Sequence, residues 1–390
     1  MFRRSLFAFI RQSETAKSVV AVRNLYSASV LGLDGYENYR QKTSTQHLHN
    51  IDNFKRKMRE FVAGSNTNMI FTEDLKNVIH LVENTPEDKQ LLLDMIEKYN
   101  SQSQELRFGN YVFGPVVMRA LHHLKDPQLA LELFKNEKYS GFFDQLTSYQ
   151  ILGDLLYENG LYPQVREVFD IVKQRQIQGS HYPKHSVTLT LAACYRENSK
   201  ESYQYAMNLW KELNAVGHLP MRKATAFAAA LALKHGEPGI ALEIATSFMK
   251  GNYVTIRQIK LLALVKLGRF DDLVPILRSI LEVGGPVDNK QTFCQEVIQQ
   301  IKDAIGAASE EASQDLQRIL SYLETNGHIT EKTMEELLCQ EIVSTAQKRD
   351  NYSNLAESYR SRGGSQQRRS FAPSSAQKSR FYRPGLADLN

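Results

Sequence analysis

A short apolar quartet that recurs down the middle of the chain constrains its fold more than any other feature. Val165, Val168, Phe169 and Val172 fall at i, i+3, i+4 and i+7, one face of a helix with a 3.6-residue period. The quartet returns as Ala206, Leu209, Trp210 and Leu213, as Ala241, Ile244, Ala245 and Phe248, and as Leu273, Ile276, Leu277 and Ile280. Upstream, Ala130, Leu133 and Phe134 supply three of the four, with Glu137 in the last place. The leading residues 130, 165, 206, 241 and 273 lie 35, 41, 35 and 32 residues apart. Ahead of the Val165 copy a second amphipathic run, with Tyr149, Leu152 and Leu156 on one face, ends at Asn159-Gly160, a pair suited to the left-handed residue past a helix end. One such hairpin cannot bury its apolar face alone, and repeats near this length are helical pairs that stack. The expected fold is all-α, an α-solenoid of helical hairpins.

The motifs inside the repeats resemble a known family. Tyr149-Gln150-Ile151-Leu152, Glu158-Asn159-Gly160 and Val168-Phe169 look like the pentatricopeptide repeat, as do Ala130-Leu131-Glu132-Leu133-Phe134 and the turn from Lys266 to Asp272. The resemblance implies a binding surface on the concave face and single-stranded RNA as ligand, one base being read per repeat by two or three side chains. Its first reading position is Gln150 here, and the same offset gives Pro115, Leu189, Ala226 and Gln258. The partner position gives Gln145, Lys184, Met221 and Tyr253. The family pattern places small polar or acidic residues there, so Gln150 with Lys184, and Gln258, are the candidates that can hydrogen-bond a base. Apolar Leu189, Ala226 and Met221 depart from it, which weighs against sequence-specific reading.

The rest of the chain divides around the array. Residues 1–29 carry Arg3, Arg4, Arg11, Lys17 and Arg23 against Glu14 alone, and Phe2, Leu6, Phe9 and Ile10 can share one helical face. That is a mitochondrial presequence composition, with a disordered basic start as the alternative. Residues 30–110 form an N-terminal helical cap. In it Lys55, Arg56, Lys57 and Arg59 make either a solvated helix face or a nucleic-acid-facing patch. Thr72-Glu73-Asp74 and Thr85-Pro86-Glu87-Asp88 open two helices with N-terminal signals. The array occupies 111–283. A C-terminal helical cap over 284–349 follows Gly284-Gly285-Pro286, with helices expected near 288–305, 310–325 and 331–348, beginning at Asp288, Ser309 and Thr330. Residues 350–390 are rich in Ser, Gln, Gly and Arg and are expected to be disordered.

Charge matters by location. The whole chain is +5, the presequence +4, and residues 353–390 another +5, so the helical body is near −4. The basic balance belongs to the two ends. In the tail, Arg362, Arg368, Arg369 and Arg380 among Phe371, Phe381 and Tyr382 resemble flexible segments that bind RNA by stacking and phosphate contact; a solubilising tail is the competing reading. Arg222 and Lys223, ahead of the fourth hairpin, are candidates for phosphate contact.

Several classes of function find no support. The three cysteines, Cys194, Cys294 and Cys339, lie far apart with no C-x-x-C pair, which argues for a reducing compartment and against a disulfide framework or zinc site. His47, His49, His122 and His123 have no Cys or carboxylate at ligand spacing and read as incidental. Neither a P-loop nor a nucleophile elbow is present, and no apolar run approaches the roughly 18 residues that span a bilayer. The chain therefore reads as a non-enzyme without cofactor, located in the mitochondrial matrix. Its expected role is RNA maturation, processing or stability, supporting the respiratory chain, with RNA-processing or ribosomal proteins as further partners. The alternative is a protein-interaction scaffold of the mitochondrial gene-expression machinery, associated with the ribosome.

Overall fold

The apolar residues of the first three copies make the buried faces of their helices, and Ala241, Ile244 and Ala245 in the fourth and Leu273 and Leu277 in the fifth are buried likewise. In the computed structural model, which describes residues 24–64, 69–102, 111–248, 253–281, 291–307 and 310–343, five hairpins carry the repeats. They are α6 (Gly114–His123) with α7 (Pro127–Lys135), α8 (Leu146–Glu158) with α9 (Tyr162–Arg175), and α10 (Lys184–Glu197) with α11 (Lys200–Ala215). The last two are α12 (Arg222–Lys234) with α13 (Pro238–Ser247), and α14 (Val254–Lys266) with α15 (Leu273–Leu281). The first helices of the pairs pack on one another in order, α6 on α8, α8 on α10, α10 on α12 and α12 on α14, and so form a continuous inner layer. Each second helix sits against its own partner and, in the cases of α7, α9, α11 and α13, against the next inner helix.

Ahead of the array, α1 (Ala28–Leu31) leads into α2 (Leu33–His47) and α3 (Ile51–Ala63), then α4 (Thr72–Leu81) and α5 (Pro86–Ser101). Helices α2 and α4 both reach α6 and extend the inner layer. Thr85 caps α5 as its sequence requires, its hydroxyl accepting from the Asp88 amide at 3.3 Å with Pro86 in the first turn. At the start of α6, Gly114 is obligatory for a different reason. A Cβ there would lie 2.2 Å from Oε1 of Gln145 and 2.7 Å from the Phe142 carbonyl, so only glycine lets the next repeat close on this one.

Beyond the array, α16 (Gln295–Ala304) and α17 (Glu310–Thr325) form a further pair, followed by α18 (Met334–Leu338). Two expectations change here. The third C-terminal helix starts at Thr333, not Thr330, because Thr333 and Glu336 form a reciprocal capping box. Thr330 instead joins a two-residue strand, β2 (Ile329–Thr330), parallel to β1 (Phe293–Cys294). Asp288, Ser309, Gly284-Gly285-Pro286, residues 1–23 of the expected presequence and the tail from 350, including Arg362, Arg368, Arg369 and Arg380, lie outside the described residues.

One apolar core runs from Leu25 to Ala263 and takes in Leu338 and Cys339, while a second, around Phe293, Val297, Leu316 and Leu320, meets the array at Leu261 and Leu264. Leu25 and Tyr26, at the end of the segment whose composition marks a presequence, are wholly buried in the first. Helix α12 lies deep in the layer: every residue from Ala224 to Leu233 is buried. Six residues of that run are alanines, small enough to bring α10, α13 and α14 in close. All three cysteines are free and buried, and burial pushes the Cys194 and Cys294 thiols up to about 12, far from the reactive thiolate range. Among the described residues, no helix is long and apolar enough to cross a membrane.

Candidate nucleic-acid interface

The inner helices end in the same way. Each turns into its partner through a left-handed residue: Lys125, Gly160, Asn198, Gly236 and Gly268, with φ of 53°, 72°, 51°, 78° and 71°. Two residues before each of these stand His123, Glu158, Arg196, Lys234 and Lys266. His123, Glu158, Lys234 and Lys266 each end their inner helix, and Arg196 stands one residue short of the end of α10. The last three make a row of cations. A helix C-terminus favours positive charge on its own account, so the row has a structural reason as well as any functional one. Lys234 Nζ lies 3.6 Å from the centroid of the Tyr195 ring, and Lys266 Nζ donates to the Leu233 carbonyl at 3.3 Å.

A strap from the C-terminal segment covers part of this layer. Helix α18 packs on α12 and α14. Its Glu335 accepts from Arg196 at 2.7 Å, and Lys223 donates to the Leu338 carbonyl at 3.2 Å. Burial without an adjacent acid pulls the Lys223 ammonium down to about 8. Past Cys339 the strap meets the N-terminal segment: Tyr26 and Ile342 form a parallel bridge, Ser27 N–H donating to the Ile342 carbonyl at 3.1 Å and Ile342 N–H to the Leu25 carbonyl at 2.9 Å. The Tyr26 hydroxyl lies 3.1 Å from His185 Nδ1 on α10. The two ends of the described chain are thus joined across the inner layer.

The positions expected to read bases fare unevenly. Gln258 is wholly buried, and its Oε1 accepts from the Cys294 amide at 2.9 Å, anchoring β1; it is a structural residue and unavailable to a base. Leu189 and Ala226 are buried too, as their apolar character demands. Gln150 is partly buried, and its Nε2 is enclosed without a hydrogen-bond partner. Lys184 is exposed at the start of α10. Arg222 is exposed with its guanidinium 5.0 Å from the Tyr253 ring centroid, whereas Lys223 beside it serves the strap. Of the α3 cations, Lys55 is buried in an ion pair with Asp88, and Arg59 reaches the same carboxylate at 3.5 Å. Arg56, Lys57 and Arg59 itself remain exposed on that helix.

A second constellation escaped the sequence. His122 Nε2 lies 3.4 Å from Asp154 and 3.7 Å from Glu158, and the ligating atoms of all three fall within 4.8 Å of one another. His122 is therefore not incidental. Burial raises the Asp154 carboxyl, and burial followed by the neighbouring Asp154 charge pushes Glu158 up to about 7. A buried and a part-buried carboxyl beside one imidazole need a further proton or a cation for balance, and their upward shifts mean that a proton can serve. The three residues offer the nitrogen and oxygen donors that a divalent ion would take. Sequence spacing could not show this, since His122 and Asp154 lie on separate helices one repeat apart.

Comparison with known proteins is consistent across vertebrates. The chain is 26% identical over 337 residues to "Pentatricopeptide repeat-containing protein 2, mitochondrial" of Xenopus laevis, covering 86% of each chain. It is 28% identical to the protein of the same name from Danio rerio over 321 residues, covering 82% of this chain and 81% of that one. Against the Homo sapiens protein of that name the identity is 25% over 272 residues, 70% of this chain and 69% of the other. No family model matches the chain.

Proposed function

We propose that this chain is a non-catalytic RNA-binding factor acting in RNA maturation, processing or stability in the mitochondrial matrix, and that respiratory-chain output depends on it indirectly. The observation that carries the reading is the row Arg196, Lys234 and Lys266, three cations near the C-terminal ends of three stacked inner helices. Phosphates of an extended strand present charge at regular intervals, and a row of this kind tracks a backbone without reading sequence. The similarity to pentatricopeptide repeat-containing proteins named as mitochondrial supports both the ligand class and the compartment. Apolar Leu189 and Ala226 at the reading positions leave little side-chain chemistry for choosing bases.

The test is fluorescence anisotropy of the full chain on short single-stranded RNA at several salt concentrations. Affinity should fall with salt, each neutralised phosphate adding about 0.7 to the slope. Removal of residues 353–390, with seven basic side chains, should flatten that slope. Affinity no greater than that of a generic basic peptide would end the RNA reading.

One observation favours a second reading. The strap across α12 and α14 occupies inner-layer surface that a strand would use, as a protein segment docked on a solenoid would. On that reading the chain is a scaffold for proteins of the mitochondrial gene-expression machinery. Recovery of ribosomal or processing proteins with the full chain after nuclease treatment, without crosslinked RNA, would favour it.

A further inference from the structure

At the opposite end of the layer from the strap, α2, α4 and the start of α6 enclose an open groove of about 520 Å³. Its lining combines aromatic rings with cations: Tyr36, Tyr39 and Tyr111 alongside Lys42, Lys76 and Arg119. One carboxylate, Glu73, is in the lining, and Lys76 already holds it at 2.7 Å. The groove therefore carries a surplus of positive charge.

Arg119 is the most telling of the lining residues. Its Nε donates to the Leu31 carbonyl at 2.7 Å, and its guanidinium lies against Gly32, where an added Cβ would sit 3.0 Å from its terminal nitrogen. Gly32 is left-handed, with φ of 71°, so glycine is required there twice over. Arg119 is partly buried, yet among the described residues no carboxylate pairs with it. A cation withdrawn from water without an acid beside it is costly and gains most from an incoming anion. Burial correspondingly draws the Arg119 pKa down. The unengaged terminal nitrogens present a planar fork suited to phosphate oxygens.

The rings are placed to complement that fork. Tyr39 is 64% exposed, so a large flat face stands free at the rim. Lys76 Nζ sits 4.2 Å from the centroid of the Tyr111 ring, which fixes that ammonium inside the groove rather than in bulk solvent. Lys42 is exposed on the same wall and has no ion-pair partner among the described residues. Phosphate donors and a stacking platform within one groove are the pairing that single-stranded nucleic acid uses without regard to sequence.

We infer that this groove seats a nucleotide unit of single-stranded RNA, its phosphate on Arg119, Lys42 and Lys76 and its base against Tyr39. The inference rests on the RNA-binding reading and deepens it, placing a contact on the N-terminal hairpins, away from the row of cations on the array.

The experiment uses the full chain with a short oligouridylate carrying 4-thiouridine. Crosslinks are mapped by mass spectrometry, and affinity is measured for Tyr39→Ala, Lys42→Glu and Arg119→Lys, with thermal melts as a check on folding. Tyr39 and Lys42 are exposed, so their variants should melt like the parent. The expected result is crosslinking to peptides containing Tyr39 or Tyr111, with Tyr39→Ala weakening binding about tenfold, which corresponds to about 1.4 kcal/mol. Lys42→Glu should lower the salt slope, and Arg119→Lys should weaken binding although charge is kept. If RNA binds but crosslinks fall only on the array and Tyr39→Ala binds like the parent, the groove assignment is overturned and the RNA reading stands. If the full chain binds no RNA, both fall. If uridine monophosphate alone binds as tightly as the strand, the ligand is a free nucleotide and the assignment to a strand is overturned.

Discussion

The guanidinium of Arg196, at the end of α10, lies 2.7 Å from the carboxylate of Glu335, 139 residues further along the chain. The Arg196 side chain is 10% exposed and that of Glu335 43%, so the pair stands at the edge of the core where charge still matters. Lys234 is close enough for the same carboxylate to act on it. An acid of the chain's own thus occupies the row of cations that the proposed function assigns to phosphate, and breaking this pair should bear on RNA affinity.

Glu335→Lys should raise RNA affinity about fivefold, the equivalent of roughly 1 kcal/mol of intramolecular pairing no longer opposing the ligand. Arg196→Glu combined with Glu335→Arg should restore the closed pair and bind RNA no better than the parent. Anisotropy titrations at one salt concentration decide this. An unchanged affinity for Glu335→Lys would mean that the strand does not use the Arg196 region.

Trp210→Ala should destabilise strongly. The indole is 5% exposed and holds the place in its repeat that Phe134 and Phe169 hold in theirs, both also buried. Truncating a buried aromatic typically costs about 3–5 kcal/mol. Denaturant titration giving less than about 1 kcal/mol would show that the seam between α11 and the inner layer collapses around the gap.

Gln258→Ala should cost stability and spare RNA binding. The change removes the acceptor of the buried Cys294 amide, and a buried donor left unsatisfied costs about 1–3 kcal/mol. Calorimetry should show the loss while the RNA titration superimposes on the parent. A large drop in RNA affinity with an unchanged melt would return Gln258 to the binding surface.

The pH dependence has a definite sign. Asp154 and Glu158 are raised above the ordinary carboxyl range of about 4, Glu158 to about 7, so the folded chain holds protons that the unfolded chain releases. Their contribution to stability is fully present below pH about 4 and is lost as pH rises through about 7. Glu158→Gln, neutral at every pH, should flatten that decline between pH 5 and 8 in thermal melts. A parent whose melting temperature climbs steadily across this window would show the carboxyls to be ionised in the folded state.

Among the features legible in the sequence, the hairpin array is the plainest. A quartet at helical spacing, repeated every 32 to 41 residues, admits no other way of burying its apolar face, and Val165, Val168, Phe169 and Val172 are all buried as expected. Gly160, Gly236 and Gly268 were legible as turns because positive φ is a local backbone demand. The row of Arg196, Lys234 and Lys266 was legible in principle, two residues before each turn, once the turns were taken as the frame. The alanine run of α12 also carried a signal, since a helix apolar on all sides must be covered on all sides.

What covers it was not legible. The strap joins Arg196 to Glu335, Lys223 to Leu338 and Tyr26 to Ile342, pairs between 115 and 316 positions apart that share no periodicity. The same holds for Gln258 on Cys294, for the cluster of His122, Asp154 and Glu158, and for Arg119 on Gly32. Helical periodicity records which face of an element is buried, because burial acts on every turn alike. It holds no record of which distant polar atom meets another, because that depends on how the stacked helices bring separate turns together. The sequence by itself therefore determined the repeat, its inner and outer helices and its turns; only the tertiary structure decided which cations remain open to a ligand and which are already held by the chain's own acids and carbonyls.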